Sequence, residues 1–351
     1  MKMTLILLSV LVGVARADCL PHLAKFDKEC QLSERFELAR ESLARFGVSV
    51  EEISEYRALR FIARGAWEAS IAKGQPYPWL IYNPAPATWL QWEKGAQATD
   101  ELIAGDNQIT VDELESLHKA ALTTKLMSFI SVWIKGNKAG KIRSRLIQIP
   151  PLFKVLCENG GIDQKTHDLM MDYDLRDRKN RPLIRSSFKQ CDEPGKYRLV
   201  AKYLASRFVP KEIQKWTEDF NSALQSVLDG TATESPMAMA ADFQRRFVSI
   251  HPFGDGNGRM SRFVQDFFLR KIGLPLPASG DLQNDVFTPT EQYRTDFFNS
   301  AKAQVDLLER CVQEYQNHNV SARCERIYNE EDGERARFGA ELSDFLEDES
   351  L

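Results

Sequence analysis

The chain is 351 residues long, 43% hydrophobic and 27% charged, an ordinary globular composition with enough apolar residues to bury a sizeable core. Its formal net charge of -4 argues against a strongly basic surface, so no nucleic-acid partner is expected. Beyond the N-terminal segment no stretch is apolar enough to span a bilayer, so no membrane contact is expected once that segment is removed.

Residues 1–17 read as a signal peptide. Lys2 starts it, an apolar run of about 13 residues follows, and Ala15-Arg16-Ala17 is a small-x-small cleavage signal. A membrane span would need roughly 20 apolar residues. All six cysteines (Cys19, Cys30, Cys157, Cys191, Cys311 and Cys324) fall after the cleavage point. An even count behind a leader permits disulfides. Pairing in sequence order, 19–30, 157–191 and 311–324, is the simplest of about 15 connectivities. No Cys-x-x-Cys occurs, which argues against a metal site.

The remainder reads as helices. Ser49 and Glu52 form a capping box opening a helix that runs to about Gly74. Four prolines between Gly74 and Ala87 predict a loop. Thr110 and Glu113 repeat the capping box ahead of the next helix. "SRLIQIPP", Ser144–Pro151, alternates and ends in a double proline, as one arm of a hairpin does. Ser235 and Pro236 predict a helix start, and that helix ends near Ile250. Another begins near Asn257; its Met260, Phe263, Val264, Phe267, Phe268 and Ile272 follow the spacing of a buried face. Thr288, Pro289 and Glu291 predict the last helix start.

Between those two helices stands "HPFGDGNGRMSR", His251–Arg262. A helix N-terminus presents free N–H groups and partial positive charge. Gly256, Asn257 and Gly258 let a polyanion approach that backbone, as a phosphate cradle does. Arg259 and Arg262 are three apart on one helical face, where two guanidinium forks can hold a phosphate chain. Asp255 is placed to hold a divalent cation. His251 can take a proton from a hydroxyl. Phe253 is an apolar pin for the loop. These parts suit phosphoryl or nucleotidyl transfer. The loop is not a Walker A, since no Gly-Lys-Ser/Thr follows the glycines. The other histidines, His22, His118, His167 and His318, are read as structural.

"HPFGDGNGRMSR" resembles the Fic signature, His-x-Phe-x-(Asp/Glu)-Gly-Asn-Gly-Arg-x-x-Arg, at all of its specified positions. The resemblance extends from about residue 101 to about 315. It implies a mostly α Fic fold, a helical bundle with a small β-hairpin flap, and transfer of AMP from ATP to a hydroxyl of a target protein with Mg2+. It makes His251 the general base, Phe253 the core anchor and Asp255 the metal ligand. Gly256, Asn257, Gly258, Arg259 and Arg262 would bind the phosphates. An extended target segment would pair along a flap near Arg143–Ile149. Another Fic-type reaction, with a different group moved or AMP removed, and a non-catalytic nucleotide-binding module are the alternatives. An intact His251 argues against the last.

The chain then divides into a leader (1–17), an N-terminal helical region (18–100), the Fic domain (101–315) and an acidic tail (316–351). "SDFLED", Ser343–Asp348, approaches the family's inhibitory helix, (Ser/Thr)-x-x-x-Glu-(Gly/Asn), with Asp348 out of pattern. Glu347 would then pair with Arg262. The leader implies a secreted or periplasmic protein. Because a periplasm holds little ATP, delivery into a host cell or work in a secretory lumen would bring it to nucleotide. In the lumen, Asn319-Val320-Ser321 would be an acceptor sequon.

Overall fold

The computed structural model describes residues 19–60, 68, 86–105, 108–122, 141–142, 152–174, 185–278 and 288–326. The expected leader, the expected flap at Arg143–Ile149 and residues 327–351 of the tail, with Glu347, lie outside them. The described chain is mostly helical with one small antiparallel sheet.

A helical hairpin forms the centre. Helix α7 (Pro236–Ile250) runs into the motif loop, and α8 (Asn257–Lys271) leaves it. The start of α7 follows its cap: Ser235 Oγ accepts from the Ala238 N–H at 3.1 Å, and Pro236 fills the first position. Helices α6 (Val209–Leu228) and α9 (Thr290–Gln316) pack on α7, while α3 (Pro86–Ala104) and α4 (Val111–Leu122) pack on α8. The contact face of α8 is the one its spacing predicts. Met260, Phe263, Val264, Phe267, Phe268 and Ile272 are all fully buried. They meet Trp216 and Phe220 of α6, whose own rings stack at 4.8 Å. Gly95 of α3 lies so close to Phe263 that an added Cβ would stand 2.2 Å from its ring, so only glycine allows this approach.

Helix α1 (Asp27–Ala44) lies along α9, joined by Arg35 to Asp306 and Glu309 at 2.6 Å. His22 and Ser33 bond the Ile272 and Gly273 carbonyls that end α8, each at 2.9 Å. Leu23 and Leu32 share the core of α6, α7 and α8.

The Ser49 capping box is present, with Ser49 N–H donating to Glu52 at 2.9 Å, but it caps a single 3-10 turn, Val50–Glu52. The helix does not run on from it. Ile53 is extended, and α2 (Ser54–Leu59) starts afresh. The cause is tertiary. The Ser54 and Glu55 N–H groups donate to the Glu325 and Arg323 carbonyls, both at 3.0 Å, so the segment after α9 supplies acceptors that a continuous helix would have supplied itself. A second core of Leu43, Val48, Ile53, Leu308, Cys311 and Cys324 seals this corner. The Thr110–Glu113 box caps α4 as expected, at 2.7 and 3.2 Å. Helix α9 starts later than expected, with Pro289 rather than Thr288 at the cap. The Thr288 carbonyl instead accepts from the buried Arg245 at 2.6 Å.

The sheet is the part that sequence pattern conveyed least. Strand β4 (Lys196–Lys202) is its centre, with β3 (Arg185–Gln190) on one side and β1 (Leu152–Val155) and β2 (Ile162–Asp163) end to end on the other. The β3–β4 turn closes with Cys191 N–H to the Lys196 carbonyl at 2.9 Å, and Gly195 supplies a φ of 76°. Helix α5 (Gln164–Asp174) covers one end, where His167 stacks on Tyr197 at 4.0 Å. The cysteines pair in sequence order: 19–30, 157–191 and 311–324. Three disulfides hint at an oxidising compartment.

Candidate active site

The end of α7 sets the first group. His251 closes the helix in the left-handed conformation, φ 52° and ψ 60°, with its N–H on the Phe247 carbonyl at 3.0 Å. Glycine usually takes this place, and a side chain there costs roughly 1–2 kcal/mol. Backbone held in such a region is concentrated at functional sites. The imidazole is partly exposed and stacks on Tyr203 at 4.1 Å, so the residue directly after β4 covers one face of it.

The loop then folds on itself. Phe253 is fully buried. The Asn257 side chain accepts from the Phe253 N–H and donates to the Phe253 carbonyl, both at 2.9 Å, which closes residues 253–257 into a ring. Asn257 is itself buried, so its side chain holds the loop and only its backbone can serve an anion. Asp255 is exposed, and its carboxylate accepts from the Gly256 N–H at 2.7 Å. Gly256 is left-handed, φ 71°, as N-cap of α8, and an added Cβ would press on Leu122 at 3.2 Å.

The arginines differ in setting. Arg259 donates to the Ala121 carbonyl at 3.2 Å. Burial lowers its pKa from the usual guanidinium value, and the Asp255 charge opposes this. Arg262 is buried within electrostatic reach of Asp266 one turn on, and Asp266 is held by Arg60 at 2.9 Å. Desolvation pushes the Asp266 carboxyl up, and Arg60 first, then Arg270 and Arg262, pull it back; the short contact and the raised Arg60 value mark an ion pair.

The structure thus brings Phe253, Asp255, Gly256 and Arg259 together against the last turns of α4. It also brings in two residues that motif reading had not placed there. His118 of α4 stacks on Phe253 at 3.7 Å, nearly parallel at 5°, and its Nε2 meets the Asp255 carbonyl at 3.0 Å. Burial lowers its pKa to about 4, so the ring is neutral and donates through Nε2–H. Tyr203 is the other. Neither has a sequence signal of its own. Among the described residues no group of three or more His, Cys, Asp or Glu forms a metal cage. A polar groove of about 680 Å³ between Thr110 and Asn221 contains no motif residue.

Residues 164–269 match the family model described as Fic/DOC family. Over that segment the chain is similar to the Fic/DOC family, with distant similarity to an adenylyltransferase of that family. A Fido domain-containing protein of Dictyostelium discoideum is 46% identical over 57 residues, 16% of this chain and 40% of that protein. A protein adenylyltransferase Fic of Nematostella vectensis is 32% identical over 85 residues, 24% of this chain and 19% of that one. The matched segments thus span less than half of either curated relative. A Fic domain-containing signaling protein of Bacteroides thetaiotaomicron superposes with a TM-score of 0.43 at 15% identity, over 82% of this chain and 97% of that one. Fic-1 of C. elegans superposes at 0.42 with 12% identity, over 84% and 75%.

Proposed function

We propose that this chain transfers AMP from ATP to a hydroxyl side chain of a target protein. The observation that carries the reading is the geometry of one loop. A histidine held at the end of α7 stands beside a glycine-rich N-terminus of α8 that carries two arginines. His251 takes the proton of the target hydroxyl, and the oxygen attacks the α-phosphorus. The bond to the β-phosphate breaks, and pyrophosphate leaves with the electron pair. The backbone N–H groups at Gly256–Gly258 and the guanidinium groups of Arg259 and Arg262 hold the phosphate charge. Asp255 fits Mg2+: it is a hard oxygen donor, exposed at the loop mouth, and Mg2+ binds through one or two carboxylates plus substrate phosphates. The ion would neutralise phosphate charge. The target lies as an extended segment along a flap near Arg143–Ile149, adding to a strand edge.

Export is part of the same proposal, supported by the leader and by three disulfides whose six cysteines all follow it. The deciding experiment supplies ATP labelled at the α- or the γ-phosphate to the purified chain with candidate lysates. Label on protein from the α-position alone is expected. Label from the γ-position, or none, overturns AMP transfer.

A further inference from the structure

The motif loop has a floor, and the floor is the end of α4. Four loop positions rest on it. Phe253 stacks on His118, the Asp255 carbonyl meets His118 Nε2, Gly256 packs over Leu122, and Arg259 donates to the Ala121 carbonyl. The last two are a packing contact and a bond to main chain, which many residues at those α4 positions would provide. The His118 contact needs this side chain. His118 is 2% exposed, and its ring both covers Phe253 and aims a donor at one peptide group.

That peptide is the one between Asp255 and Gly256. Its carbonyl is bonded from below by His118, at 3.0 Å. Its N–H, on Gly256, is bonded by the Asp255 carboxylate, at 2.7 Å. Fixing the carbonyl therefore fixes the plane of the peptide and, through its N–H, the direction of the carboxylate. A group that orients a metal-binding carboxylate from behind tunes metal affinity without touching the metal.

We propose that His118 is a positioning residue, whose Nε2–H locks the Asp255–Gly256 peptide and so aims the Asp255 carboxylate and the first amides of the α8 cradle. Its catalytic consequence rests on the nucleotidyl-transfer reading; the lock itself does not. Two substitutions separate donor from ring. His118→Phe keeps a ring over Phe253 and removes the donor. His118→Gln keeps an N–H donor and removes the ring.

The first readout is amide hydrogen exchange of the peptide covering 253–258 in the free protein, alongside the melting temperature. In His118→Phe, exchange there rises at least fivefold while α6 and α7 stay protected, and His118→Gln recovers most of the protection. The second is ATP binding by calorimetry across a Mg2+ titration. In His118→Phe the Mg2+ midpoint moves up about fivefold. Should His118→Phe lose its melting transition, His118→Leu replaces it in the same contrast. Loop exchange within twofold of the wild type in the donor-less variant overturns the proposal. So does equal loss of protection in both variants spread over the whole chain, which makes His118 packing only. If the wild type transfers no label from ATP, the transfer reading fails and the exchange result still decides the lock.

Discussion

The α7–α8 hairpin and the four-stranded sheet meet near His251, yet they are held by different forces. The hairpin is a packing problem already solved: Phe247, Phe253, Phe263, Phe267 and Phe268 are all fully buried. The sheet is mostly surface. Ser187, Lys189, Gln190, Arg198 and Lys202 are exposed, and Leu199 is its fully buried residue among those described. Its order comes from ladder hydrogen bonds and from the Cys157–Cys191 link. The first region can hold reacting groups in place because close-packed interiors do not deform continuously. The second offers strand edges and exposed side chains, as a docking surface requires.

If this division is right, the largest effect comes from emptying the hairpin core. Phe268→Ala should cost about 3–5 kcal/mol, read by denaturant unfolding. His251→Ala should leave that stability nearly intact and lower label transfer at least about 100-fold, the lower end of what a general base contributes. ATP affinity should stay within twofold, because in the proposed reaction the histidine acts on the target hydroxyl and not on the donor. Transfer near the wild-type rate would remove His251 from the mechanism.

Gly95→Ala tests the close approach of α3 to α8. One methyl forced against the Phe263 ring should cost about 1–3 kcal/mol as an overpacked site, seen in the same unfolding experiment. Tyr203→Ala tests the joint between the two regions. Losing a ring stack worth about 0.5–1.5 kcal/mol should lower transfer by up to about tenfold, and Tyr203→Phe should restore it. A phenylalanine variant as slow as the alanine variant would make the hydroxyl, not the stack, the active feature. Lys189→Ala on the exposed strand β3 should change stability by no more than about 0.5 kcal/mol. A larger loss would mean that the sheet is packed as tightly as the hairpin.

Local chemistry explains which elements could be read in advance. Capping residues act within four positions, so Ser235, Thr110 and Glu113 announced their helices. The spacing of Met260 to Ile272 announced the buried face of α8. Strands β3 and β4 escaped notice because "RSSFKQ" and "KYRLVAK" carry little apolar alternation on a half-exposed sheet. The break before α2 was not legible either, since it depends on acceptors more than 260 positions away.

The motif loop between α7 and α8 was legible in the sequence alone, because eight specified positions within twelve carry the residues that the proposed reaction would use as base, cation ligand, anion cradle and clamps. Among the connectivities that the sequence left open, the fold adopts the simplest, pairing in sequence order. Only tertiary structure decided what surrounds the loop. His118 and Asp255 are 137 positions apart, and Tyr203 and His251 are joined through a sheet whose pairing no local pattern specified. Contacts of that kind are made by packed surfaces, and the chain reveals them only once both surfaces have formed.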